Sequence, residues 1–119
     1  MSNYTCYYFE TGTGKSPVRD FIDSLDPATQ RKFFVKVGWL EECGHRLPMP
    51  HARHLKDDIF ELRLEGKEGA IRILYFFFNG NKIIFTSGFK KKTEKTPKKE
   101  LKLAFERMRL YERGDKNEK

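Results

Sequence analysis

Apolar residues recur along this chain with two different periods, and the changes of period mark its elements. Residues 58–65 alternate, setting Phe60, Leu62 and Leu64 against Glu61, Arg63 and Glu65. That is the period of a half-buried strand. Residues 70–78 are apolar on both faces, as a central strand is. Residues 4–10 and 82–88 are rich in β-formers and complete a set of four strands. Gly66-Lys67-Glu68-Gly69 reads as a four-residue loop, and Asn79-Gly80 as a two-residue hairpin turn. Elsewhere the period is helical. Phe33, Val37 and Leu40 fall at i, i+4 and i+7, predicting a helix over residues 27–43 with Gly44 just past its end. Leu101, Ala104, Phe105 and Met108 share one face of a helix over residues 97–111, with Leu103 and Leu110 off that face. A shorter helix over residues 17–24 presents Val18, Phe21 and Ile22. Ser16-Pro17, Asp26-Pro27 and Thr96-Pro97 each place a good N-cap before a proline, which marks three helix starts.

The order is strand, two helices, a three-strand antiparallel meander, helix. It predicts an α+β fold: a small antiparallel twisted sheet, made of the N-terminal strand and the meander, with the helices on one face. A length of 119 residues suits one domain, expected over residues 1–112, with residues 113–119 a flexible polar tail. Apolar and charged contents of 38% and 34% exclude a disordered chain. No run approaches the roughly 18 apolar residues of a membrane span, and residues 1–10 do not read as a signal peptide. A cytoplasmic protein with Cys6 and Cys43 as reduced thiols is expected, and their spacing matches no zinc motif.

Charge then narrows the chemistry. Net charge is +7, yet residues 1–81 balance and the whole surplus falls within residues 82–113. A localised basic field points to a polyanion, nucleic acid first, although solvated charge runs are also common. Arg72 interrupts the apolar run of its strand. The loop lengths set Arg63 directly opposite it on one side and Ser87 on the other. Like charges across an antiparallel pair repel. They need a carboxylate, for which Glu61 and Glu65 are available on that face, or a bound anion. Guanidinium forks match phosphate oxygens. The stretch Lys90-Lys91-Lys92-Thr93-Glu94-Lys95 leaves the last strand near this row, bringing lysines toward the arginines. Preorganised cations of this kind stabilise the charge gained by a phosphodiester under attack without a metal. All three histidines, His45, His51 and His54, fall in residues 44–56. No acidic or cysteine cluster completes a metal set with them, so no metal and no cofactor are expected. Gly12-Thr13-Gly14-Lys15-Ser16 is too short for a phosphate-binding loop, and no other nucleotide-binding or hydrolase motif is present.

Three blocks in order carry a family resemblance: Glu61-Leu62-Arg63, then Arg72-Ile73-Leu74-Tyr75, then Gly88-Phe89-Lys90-Lys91-Lys92-Thr93-Glu94-Lys95-Thr96-Pro97. With Ser16-Pro17-Val18-Arg19-Asp20-Phe21-Ile22 they resemble the phage-derived HigB-like branch of the RelE/ParE toxin superfamily over residues 4–111. The resemblance implies a RelE-like fold and the toxin of a type II toxin–antitoxin pair. It implies a ribosome-dependent mRNA endoribonuclease, neutralised by a helix-turn-helix antitoxin in a complex that binds operator DNA. Cleavage in such proteins proceeds by metal-independent attack of a 2′-OH on the adjacent phosphate. By motif, Arg72 matches the arginine at the scissile phosphate, Arg63 a basic residue of the preceding strand, and Lys91 or Lys92 the cation after the last strand. No tyrosine of the final helix matches the RelE tyrosine, since Tyr111 lies too late, leaving His54 or Lys95 for proton transfer. Lys56, Lys90, Lys95, Lys98 and Lys99 are expected to touch RNA. A ParE-like gyrase inhibitor and a non-enzymatic nucleic-acid-binding phage protein are the rival expectations.

Overall fold

In the computed structural model, which describes residues 3–117, the chain opens with strand β1 (Thr5–Tyr8) and helix α1 (Pro17–Asp23). Helix α2 (Pro27–Cys43) follows at the bounds its periodicity predicts. Asp26 caps it, its carboxylate accepting from the Ala28 amide at 3.0 Å. Gly44 closes it with φ of +56°, and a β-carbon there would collide with the Tyr4 ring. A single turn of 3-10 helix (Gly44–Arg46) leads into β2 (Ala52–Lys56), β3 (Ile59–Gly66), β4 (Gly69–Phe78), β5 (Lys82–Lys91) and α3 (Lys98–Asn117).

The fold is α+β, with a five-stranded mixed sheet in the order β1-β5-β4-β3-β2. Three features depart from the expected sheet. β2 is a fifth strand beyond the four expected. It turns back through Asp57, at φ of +50°, to pair antiparallel with β3. β1 pairs with β5 in parallel, with Tyr7 beside Ile84, so the sheet is not wholly antiparallel. The helices lie on both faces rather than one. Val18, Ile22, Phe33 and Leu40 of α1 and α2 pack with Leu62, Leu64, Ile71, Ile73 and Tyr75. Ala104 and Met108 of α3 pack with Ile59, Leu74, Phe76, Ile84 and Phe89 on the other side. A central strand apolar on both faces requires cover on both, and β4 receives it.

Register decides where the charged residues fall. β3 and β4 pair Glu65 with Ala70 and Arg63 with Arg72, as expected, around a turn of Lys67 and Glu68. β4 and β5 do not keep the expected offset. Phe78 pairs with Lys82, so the turn spans Asn79, Gly80 and Asn81, and a bulge at Leu74/Tyr75 shifts the ladder once more. Arg72 therefore faces Phe89, and Ser87 pairs with Leu74. α3 begins at Lys98 and extends beyond Tyr111 to Asn117, through much of the segment expected as tail; residues 118–119 lie outside the described residues.

Candidate active site

Beyond the start of α3, the sheet face that α3 covers is lined with charge. Glu61, Arg63 and Arg72 share this face because they alternate with Leu62, Leu64, Ile71 and Ile73, which point to the α1–α2 side. Arg53 of β2 pairs with Glu61 and reaches the same face. Lys91 ends β5 opposite Ala70, and Lys92, Thr93 and Glu94 continue from it. Together Arg53, Arg63, Arg72, Lys91, Lys92 and Glu94 line an open cleft of about 490 Å³.

At its floor the carboxylate of Glu61 is fully buried. It accepts from Arg63 Nη1 at 2.6 Å and from the Thr96 hydroxyl at 3.3 Å, and lies 3.9 Å from Arg72 Nε. A buried carboxylate is tolerable only with such partners. It also resolves the repulsion of the paired arginines, which sit either side of one negative charge. Thr96, expected as a cap of the last helix, gives its hydroxyl to Glu61 instead. Arg72 is 5% exposed and its guanidinium is held by several acceptors. Nη1 donates to the Ile71 carbonyl at 2.9 Å and lies 3.5 Å from the Glu65 carboxylate. Its Nε has no hydrogen-bond partner, though buried. Five cations thus face three carboxylates, the fully paired Glu61 and the exposed Glu65 and Glu94, a surplus of positive charge suited to an anion with several oxygens.

Lys91 stands apart chemically from the arginines. Burial pushes its pKa below the ordinary lysine value, and Arg72, Arg63 and Arg53 push it further down against the opposing pull of Glu61. Lys36 of α2 is shifted the same way, by burial first and then by Arg72. Its ammonium donates to the Arg63 carbonyl. Proton transfer is easier from an ammonium with a lowered pKa.

Four of the expected catalytic residues, Arg63, Arg72, Lys91 and Lys92, meet in the cleft. His54 does not join them. It pairs with Phe60 on the opposite face, its ring 4.9 Å from that of Phe60 and bonded to the Asp57 carbonyl. Lys90 pairs with Ile71 and points away from the cleft, and Lys56 sits at the far end of β2. Lys95, Lys98 and Lys99 are exposed on the loop and first turn of α3 beside it. Arg53 was missed because β2 has no clear alternation. The signal was the Asp57-Asp58 pair, a turn that folds residues 52–56 back onto β3. Among the described residues no three His, Cys, Asp or Glu side chains gather as a metal-ligand set.

Residues 20–109 match the family described as phage-derived protein Gp49-like (DUF891). The chain belongs to this family. The Gp49-like family is related to the RelE/ParE-like toxins. The matched span of this Gp49-like protein contains the whole cleft, from Arg53 to Glu94, and leaves out β1. No curated protein matches the chain.

Proposed function

We propose that this Gp49-like protein is a HigB-like toxin that cleaves mRNA on the ribosome without a metal. The observation that carries the reading is the cleft itself: Arg72, buried with its Nε making no hydrogen bond, beside Arg53, Arg63 and Lys91. Such a constellation suits a phosphodiester whose charge rises in the transition state. The 2′ oxygen attacks the adjacent phosphorus and the bond from phosphorus to the 5′ oxygen breaks, leaving a 2′,3′-cyclic phosphate and a 5′-OH. Arg72 and Arg63 hold the non-bridging oxygens. Lys91 donates its proton to the departing 5′ oxygen, and Glu94, the carboxylate among the cleft-lining residues, accepts the proton of the 2′-OH. Lys95, Lys98 and Lys99 extend the basic track for the flanking RNA. A helix-turn-helix antitoxin is the proposed neutralising partner, and its complex with the toxin the operator-binding species.

The test is induction of the chain in a bacterial host with mapping of transcript 5′ ends, alongside Arg72→Ala at matched abundance. Cleavage within translated messages, lost in Arg72→Ala, is the expected result. Intact transcripts with a DNA-damage response would instead indicate a gyrase inhibitor. Intact transcripts with neither response would leave a nucleic-acid-binding protein.

A further inference from the structure

The outward face of α2 carries a surface unrelated to the cleft. Phe34, Val35 and Trp39 are 55%, 52% and 44% exposed, while their helical neighbours Phe33 and Leu40 are fully buried. Gly38 lies among them with open space around it. Arg31 and Glu42, both exposed, end the stripe, and neither takes part in an ion pair among the described residues. The Trp39 ring also lies 4.9 Å from that of His51, which brings the turn carrying exposed Met49 alongside the stripe. Isolated exposed apolar residues are ordinary, but three on one helix face beside a notch are not.

The order of the stripe identifies its occupant. Arg31, Phe34, Val35, Gly38, Trp39 and Glu42 are symmetric in position about the midpoint of α2 between Lys36 and Val37. A second copy laid across it antiparallel, about a two-fold axis, sets Arg31 of each copy level with Glu42 of the other. It sets Val35 of each against the Gly38 notch of the other, with Phe34 and Trp39 flanking on the two sides. Charge and bulk are thus complementary to themselves, which is the requirement of an isologous two-fold interface. A glycine at a crossing allows two helices to approach closely. We infer that the chain forms a two-fold dimer through α2. The dimer leaves the cleft accessible, because α2 packs on the opposite face of the sheet. One helix and a neighbouring turn form a small interface, so association in the micromolar range is expected.

Sedimentation equilibrium of the isolated chain over a range of concentrations tests this, with charge-reversed variants at the two ends of the stripe. R31E and E42R each place like charges face to face and weaken association about tenfold or more. The double variant R31E/E42R restores opposite charges across the interface and recovers it. V35E and W39K, at exposed sites that leave the core intact, remain monomeric with unchanged circular dichroism. A monomer at every concentration overturns the proposal, as does failure of the double variant to recover association. Loss of binding to a separate partner by the stripe variants, with the chain itself monomeric, would assign the face to that partner and overturn it equally.

Discussion

Glu61 holds two arginines in place, and its burial makes that role measurable. It is fully buried, while Arg63 retains 20% exposure of its side chain and Arg72 only 6%. Replacing Glu61 by Ala removes the carboxylate between the two arginines and leaves Arg72 with the exposed Glu65 alone, and breaking a buried pair costs about 3 kcal/mol. Urea unfolding of Glu61→Ala should show a loss of that order. Inorganic phosphate should then raise the melting temperature of the variant more than that of the parent, because the guanidinium groups that have lost Glu61 gain an anion. Lys91 supplies a second test. Its pKa lies below the ordinary value of 10.5 because burial and three arginines disfavour its charge. Cleavage that uses its proton should therefore fall along an alkaline limb centred below 10.5. Lys91→Arg, which keeps its proton, should lack that limb and cleave at least tenfold more slowly. At this scale much was legible. Arg72 stood out as a charge inside an apolar strand, and Glu61 and Glu65 as the carboxylates within reach. The place of Glu61 between both arginines was not, because it follows from distances that only the folded sheet sets.

Register explains which of the expected neighbours met. The β3–β4 pairing was legible because Glu65 faces Ala70 whether the residues between them are read as a four-residue loop or as a turn flanked by paired glycines. The β4–β5 pairing was not. One extra turn residue and one bulge each displace the ladder by a single position, exchanging Ser87 for Phe89 beside Arg72. The exchange closes the apolar cluster under the cleft, since Phe89 packs with Leu74 and the α3 residues. The helices show the same division. The extents of α1 and α2 followed from periodicity, while α3 runs past its expected end at Tyr111 and the side of the sheet each helix covers depends on connections between elements. Gly88 shows how closely α1 approaches β5. A β-carbon there would lie 2.5 Å from Phe21 Cδ2 and 2.9 Å from Ile73 Cδ1. Both atoms belong to packed side chains, so Gly88→Ala must displace α1 and should cost about 1–3 kcal/mol, read as a lowered thermal midpoint. Gly38→Ala, with open space around the glycine, should be neutral or slightly stabilising in the monomer.

Across the whole molecule, charge and shape distinguish the two faces of the sheet. The surplus of +7 arises within residues 82–113, yet of the cations lining the cleft two, Lys91 and Lys92, come from that segment and three arginines from the balanced part of the chain. Net charge therefore locates the basic half of the surface, while strand pairing locates the site within it. Arg53 separates these two contributions. It lies on an edge strand, is exposed, and belongs to the cleft only because β2 folds back onto β3. A cation that touches a phosphate of single-stranded RNA releases a counterion, contributing about 0.7 to the slope of log affinity against log salt. For an uncleavable RNA with a 2′-deoxy substitution at the scissile position, Arg53→Ala should lower that slope by about 0.7. Lys56→Ala, far along the same strand, should leave it unchanged. Equal slopes for all three proteins would place Arg53 outside the RNA path and confine the working cleft to Arg63, Arg72 and the lysines of the β5–α3 loop. A reduced slope with Arg53→Ala alone would show that β2 completes the site, so that a strand with little pattern of its own determines how many phosphates the protein holds.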